Sequence, residues 1–243
     1  MALYANGKKI CSTNIVYEAP IEIPREVVNG VYKYTADTSY TLPSEVTELG
    51  DYALSNAFIG DNMGTEFLKI TSVDLSSVIT ISGSRAMYCT FQNNDKISSV
   101  NLSSLRTVSG DYALASAFEV TWSLPSISFP ALEVISGDYA FTYAFGDTII
   151  TSLTFPSLHT LTGSNVFNTA FPASCIESLS FPALTSTSFG SKTNQFHDMF
   201  EYGGSGVTVH FPSSLQSVIG SWSDVQSGFS GGATVTFDLP ATS

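Results

Sequence analysis

The chain has 243 residues, a formal net charge of −12 and 43% hydrophobic residues. That is enough apolar material for a continuous core, and no run of about 18 apolar residues marks a membrane-spanning helix. Beyond Arg106 the only basic residue is Lys192, against ten acids. Such a surface repels a polyanion, so nucleic acid is not expected as a partner.

Residues 1–38 carry two Asn-Gly pairs, Asn6-Gly7 and Asn29-Gly30, between apolar or β-branched runs. Asn-Gly is the strongest short-range hairpin signal, so an N-terminal β cap or attachment segment is expected here. Such a segment could dock on a larger particle or hold copies together as a homo-oligomer. Met1–Lys9 has no apolar stretch after its charges and does not read as a signal peptide. The expectation is therefore a protein that is cytoplasmic when made.

From residue 39 a short pattern recurs. It runs Ser39-Tyr40-Thr41-Leu42-Pro43, then restarts at Ser72, Ser99, Ser126, Ser152, Ser178, Thr208 and Thr234, with steps of 33, 27, 27, 26, 26, 30 and 26 residues. A fixed phrase at a fixed step means one structural unit stacked many times. Within each copy polar and apolar residues alternate, which predicts a half-buried strand. Tyr40, Val73, Val100, Ile127, Leu153, Leu179, Val209 and Val235 would point inward, together with Leu42, Leu75, Leu102, Phe129, Phe155, Phe181, Phe211 and Phe237. The proline at 43, 130, 156, 182 or 212 would end the strand. The two long steps locate insertions near residues 59–66 and within 190–206.

A second phrase follows each strand: GDYALSNAF from Gly50, GDYALASAF from Gly110 and GDYAFTYAF from Gly137, with looser copies from Gly83 and Gly163. The glycine is expected to turn the chain. Asp51, Ser84, Asp111, Asp138 and Ser164 are expected as helix N-caps, because their oxygens accept hydrogen bonds from orphan amides of a first turn. Apolar pairs such as Ala113/Leu114 and Ala117/Phe118 fall at i, i+1, i+4 and i+5, the spacing of one helix face. The unit thus reads as strand, turn, short capped helix and return loop. The predicted fold is an α/β solenoid of about seven right-handed coils, with a parallel sheet on one face and short helices on the other. It would run over residues 39–243, and 214–232 would be a degraded last repeat anchored by Trp222, Val225 and Phe229. Thr234–Leu239 would be the closing strand. Leu239-Pro240-Ala241-Thr242-Ser243 has some likeness to a sortase signal but lacks its glycine, and strand closure accounts for it better.

GDYAF followed by a strand and a proline resembles the BspA-like leucine-rich repeats of bacterial surface proteins. The likeness covers about residues 40–240. The step is longer than that family's usual one, and Ala-Phe stands where the family often has Cys or Asn. The resemblance implies adhesion to a protein or glycan on a host or partner surface. Without a signal peptide, the leading expectation is a phage virion protein, structural or receptor-binding, on a tail or capsid. The alternatives are a fragment of a secreted bacterial cell-surface adhesin, or an intracellular interaction scaffold.

No enzymatic activity is expected. His159, His197 and His210 share no ligand spacing with other donors, and GxSxG, HExxH and P-loop signatures are absent. No cofactor or metal is expected. Cys11, Cys89 and Cys175 fit neither a zinc pattern nor a closed disulfide set and read as free thiols. The informative surface is the outward strand column, where Asp74, Asn101, Ser128, Thr154, Ser180 and His210 form the candidate partner-binding face. The insertions Gly60–Gly64 and His197–Gly203 offer an alternative surface, with Phe200 expected as a displaced core anchor.

Overall fold

The computed structural model describes residues 39–60, 70–191 and 194–241, together with the backbone of five short strands before residue 39. The insertion loop at 61–69, Cys11 and the turn residues of both Asn-Gly pairs lie outside the described residues. The strands that flank those pairs are described. Tyr4–Ala5 runs antiparallel to Lys8–Lys9, and Arg25–Val28 to Val31–Tyr34, each across a two-residue connection.

Parallel strands stack along the chain as a solenoid of about six turns. The alternating pattern forms the first ladder. Ser39–Thr41, Ser72–Asp74 and Ser99–Asn101 pair in register, as do Ser152–Thr154, Ser178–Ser180, Thr208–Pro212 and Thr234–Leu239, except that the last pair shifts register between His210 and Pro212. The inward positions are buried as the alternation requires, from Leu42 to Phe211; Tyr40, Val235 and Phe237 are only partly covered. Seven coils were expected from eight copies of the pattern. The last interval instead folds as the short helices Gln216–Ile219 and Ser223–Gln226, flanked by irregular turns, with Val225 and Phe229 buried and Trp222 edge-on to Phe189.

A second parallel ladder was not anticipated. It joins Val16–Tyr17, Glu48–Leu49, Thr80–Ile81, Thr107–Val108, Val134–Ile135 and Thr160–Leu161. Its signal is in the sequence. An apolar residue precedes each phrase glycine by one or two positions (Leu49, Ile81, Val108, Ile135, Leu161), and all five are fully buried.

The helices predicted after each glycine are absent from the described residues. The chain there is a run of linked turns, with a left-handed residue at every fourth position: Tyr52 and Asn56; Arg85, Cys89 and Asn93; Tyr112, Ser116 and Val120; Tyr139, Tyr143 and Asp147. Amides alternate between two kinds of partner. Ala115 N–H donates to Tyr112 O at 3.1 Å and Ala117 N–H to Leu114 O at 3.1 Å, within the coil. Leu114 N–H donates to Ala140 O at 2.8 Å and Phe118 N–H to Ala144 O at 3.0 Å, in the next coil. A period of four puts Ala113, Leu114, Ala117 and Phe118 on one face as a helix would, so the apolar pattern alone does not distinguish the two.

Spacing decides against the helix. Coils joined by strand ladders sit about 4.8 Å apart, whereas a helix with its side chains is about 10 Å across. Helices fit behind a sheet only if the stack curves and opens on their side. Here the phenylalanines behind the turn run are spaced 5.1–5.7 Å through Phe58, Phe91, Phe118, Phe145 and Phe171. Those behind the strands are spaced 5.4–5.5 Å through Phe129, Phe155, Phe181 and Phe211. Both sides share one pitch, so the stack is close to straight and leaves no room for helices.

The caps change role accordingly. Asp51 Oδ1 accepts from Ser84 N–H at 2.7 Å, Asp111 Oδ1 from Asp138 N–H at 2.9 Å, and Asp138 Oδ1 from Ser164 N–H at 2.7 Å. Each aspartate ties the start of the next coil's turn run rather than its own helix. The phrase glycines likewise serve close approach: their φ angles are not positive, and coil packs on coil through them.

Left-handed backbone is costly for a β-branched residue. Val120 has φ +57°, and its neighbours in the column are Asn93, Asp147 and Ala173. Val120→Asn is expected to raise stability by about 1 kcal/mol, because Asn tolerates this region through local hydrogen bonds. A thermal melt checks this: an unchanged or lower Tm would show that Val120's packing outweighs its backbone strain.

Candidate partner-binding face

The outward residues of the first ladder line one side of the stack, one coil apart, and all six candidate residues lie on it. The face is not uniform. Ser126–Phe129 pairs with neither neighbour, so the ladder is interrupted between Asn101 and Ser152. Ile127 and Phe129 remain buried there, so the core is continuous beneath a break in the backbone ladder.

Each candidate side chain has a definite setting. Asp74 Oδ1 accepts from Ser76 N–H at 2.9 Å, and Asn101 Oδ1 from Ser103 N–H at 3.1 Å. These are Asx turns, which bend the chain out of the strand at two of the three rungs that lack proline at that position. Part of what marked these residues as variable is therefore turn chemistry. Ser128 is exposed at the ladder break. Thr154 Oγ1 lies 2.7 Å from Ser180 Oγ across adjacent coils.

At the last two rungs, His210 Nδ1 lies 2.9 Å from Asp238 Oδ2 and 3.1 Å from Thr236 Oγ1. The hydrogen bond from His210 holds the Asp238 carboxyl below the usual carboxylate range, with a smaller contribution from Thr236. A hydrolytic triad needs its acid on one imidazole nitrogen and its nucleophile on the other. Here Thr236 and Asp238 share a single nitrogen, so these three residues are a hydrogen-bonded surface cluster without that relay.

His159 is exposed beside Thr160, and His197 sits against Asp198 and Asn168. Among the described residues no three His, Cys, Asp or Glu side chains converge as a metal site. Cys89 is buried, which pushes its thiol up, and Cys175 is exposed; both are free. The insertion at His197–Gly203 is part of a turn run. Asp198 and Tyr202 are left-handed, and Phe200 is fully buried 5.5 Å from Phe171, in the anchor role expected of it.

Sequence reasoning passed over one surface. The tyrosine of GDYA points outward, not into the core. Tyr52 Oη accepts from Arg85 Nη1 at 3.1 Å, the Arg85 guanidinium lies 5.4 Å from the Tyr112 ring, and Tyr112 stacks on Tyr139 at 5.0 Å and 3°. The signal available was the tyrosine at 52, 112 and 139, flanked by a capping aspartate and a buried alanine. Trp122 and Tyr202 add exposed rings, 56% and 79% accessible.

Among the described residues exposed cations are few. Arg106 pairs with Glu133 and Lys96 with Asp95. No helix among the described residues is long and apolar enough to cross a membrane. No family model matches this chain, and no curated protein matches it in sequence.

Proposed function

We propose that this chain is a non-enzymatic recognition solenoid, carried on the surface of a phage particle as a tail or capsid-associated protein, where it adheres to a protein or glycan of the host surface. In this reading its repeats are a straight, wide-stepped relative of the BspA-like leucine-rich repeat, with the turn run standing in place of the helical side. The observation that carries it is a contrast within each rung. Behind the first ladder most coils repeat buried alanine, leucine and phenylalanine with a few exchanges such as Met87, Thr90 and Val166, while the outward column changes chemistry step by step through Thr41, Asp74, Asn101, Ser128, Thr154, Ser180, His210 and Thr236. A rigid core under a variable face is how solenoids present an extended binding surface. The scarcity of cations supports neutral or basic partners over nucleic acid.

Two measurements test it. Mass spectrometry of purified particles should find the chain among virion proteins; its absence counts against the phage setting. Labelled protein should bind whole host cells in flow cytometry. The combined variant Ser126→Lys, Ser128→Lys, Ser152→Lys changes three exposed residues across the ladder break. It is expected to keep its fold and weaken binding by about tenfold or more, as loss of a central contact patch does. Unchanged binding would move the site to the Tyr52–Arg85–Tyr112–Tyr139 face.

A further inference from the structure

The turn runs of successive coils lie side by side, and their left-handed residues form columns one coil apart. Tyr139, Tyr143 and Asp147 hold these positions in one coil, and Asn165, Thr169 and Ala173 hold them in the next. One coil further on, Asp198 and Tyr202 follow Thr169 and Ala173. Two rows of long side chains therefore flank a row of short ones. Thr169, in the short row, is only 2% accessible, whereas Tyr143 and Tyr202 are 40% and 79% accessible. Rows two coils apart are separated by about 10 Å, the gap that one extended chain fills between its neighbours in a sheet.

This trough is aromatic and anionic. Tyr139 stacks on Tyr112 on one side; on its other side the column continues with Asn165, and no ring covers it. Thr169 Oγ1 donates to Glu201 Oε2 at 3.2 Å, which holds that carboxylate against the floor. The hydrogen bond to Glu201 and its charge push the Tyr202 hydroxyl up, with smaller contributions from Tyr143 and Asp198 across the trough. Among the described residues Arg85 is the only lysine or arginine in the turn runs. It shows how this surface holds a cation. Arg85 stands where a tyrosine stands in the column Tyr52, Arg85, Tyr112, Tyr139. Its Nη1 donates to Tyr52 Oη at 3.1 Å, and its guanidinium lies 5.4 Å from the Tyr112 ring and 6.0 Å from the Tyr88 ring.

We propose that the trough between Tyr139–Asp147 and Asp198–Tyr202 binds an arginine-bearing segment of a basic partner protein. A guanidinium on the uncovered side of Tyr139 extends the stack that Arg85 enters two coils earlier. Asp147, Asp198 and Glu201 supply the opposite charge, and the one basic side chain beside them is His197, 3.1 Å from Asp198 Oδ2. A second copy of this chain would bring the same carboxylates to the contact and be repelled. Arginine is favoured over lysine because its planar, weakly hydrated guanidinium stacks on aromatic faces while it pairs with carboxylates. The trough lies on the turn-run side of the stack, so the inference is independent of what the first-ladder face binds.

Fluorescence anisotropy tests the proposal, with the full chain titrated into a labelled peptide of alternating arginine and serine at about 0.15 M salt. Saturable binding is expected, and the lysine counterpart of the peptide should bind about fivefold more weakly or worse. Tyr139→Asn and Tyr143→Ser install the residues that neighbouring coils already carry at Asn165 and Ser116, so the circular dichroism spectrum should not change. Together they should weaken binding of the arginine peptide about tenfold. The first-ladder variant Ser126→Lys, Ser128→Lys, Ser152→Lys should leave it unchanged, which separates this trough from that face. No saturable binding of the arginine peptide overturns the proposal. Equal affinity for the two peptides, indifferent to the tyrosine substitutions, also overturns it and reduces the effect to general acidity. Self-association abolished by Tyr143→Ser would assign the trough to a second copy. Saturable binding of a neutral glucan oligomer but not of the peptide, lost in the tyrosine variant, would assign it to a glycan; either result overturns the proposal.

Discussion

Gly110→Ala is expected to be the most damaging small substitution in the chain, costing at least about 3 kcal/mol, the upper end of what forced overpacking costs. A methyl group at Gly110 would sit 1.9 Å from Gly83 O and 2.5 Å from Gly83 C. The obstacle is backbone, itself held in the ladder, because Gly83 N–H donates to Leu49 O at 3.0 Å. Nothing at the end of a flexible side chain can give way. The same collision recurs at Gly83 against Gly50, at Gly137 against Gly110 and at Gly163 against Gly137, with contacts of 1.9–2.1 Å. Relief at one position would push the neighbouring glycine toward its own clash. The informative control is Gly146→Ala, where the first obstacle is the Pro172 ring at 3.0 Å; it should cost about 1 kcal/mol or less. Urea denaturation of the two variants measures the difference. Equal costs would mean that the glycine column reflects conformational freedom alone and not coil-to-coil contact.

Phe145→Ala should cost about 3–5 kcal/mol, the range for emptying a buried aromatic site. Phe145 is fully buried and lies between Phe118 at 5.7 Å and Phe171 at 5.1 Å, with Phe129 edge-on at 6.4 Å and Phe141 at 6.1 Å. The cavity cannot collapse readily, because both neighbours in its column are pinned by amides that cross between coils: Phe118 N–H donates to Ala144 O and Phe171 N–H to Met199 O. Phe145→Leu retains most of the volume and loses the ring contacts, so it should cost about 1–2 kcal/mol. Denaturant midpoints for the pair separate volume from stacking. A cost below about 1 kcal/mol for Phe145→Ala would contradict its placement in the column.

The first ladder was legible because alternation at period two has one structural meaning. Ser-Val-Asp-Leu at 72–75 can bury Val73 and Leu75 together only as a strand. The closing strand at Thr234–Leu239 was legible for the same reason. The second ladder was overlooked because two-residue strands such as Thr107–Val108 show no alternation of their own; only the column across coils reveals them. The helices were misread because Ala113, Leu114, Ala117 and Phe118 satisfy a period of 3.6 and a period of 4 equally well over nine residues. Asp111, read as a helix cap, accepts an amide hydrogen bond as expected, but the donor is Asp138 in the next coil.

For the candidate face, the sequence placed all six residues outward in a column, and they lie there. It did not anticipate the interruption at Ser126–Phe129, nor that Asp74 and Asn101 turn the chain after their strands, because both depend on what the adjacent coils do. It also hid the outward row of Tyr52, Arg85, Tyr112 and Tyr139, since a tyrosine inside a repeated apolar phrase looks like core.

What the sequence determined by itself is the unit, its step, its first strand and the residues that fill its core. These follow from periodicity, which is local, and from the burial of apolar side chains, which any stacking of the unit must achieve. What only the tertiary structure decided is the path of the chain between strands. One pitch of about 5 Å on both sides of the stack forbids a row of helices, sends every second amide to the next coil and leaves room at Gly110 for a hydrogen and nothing larger.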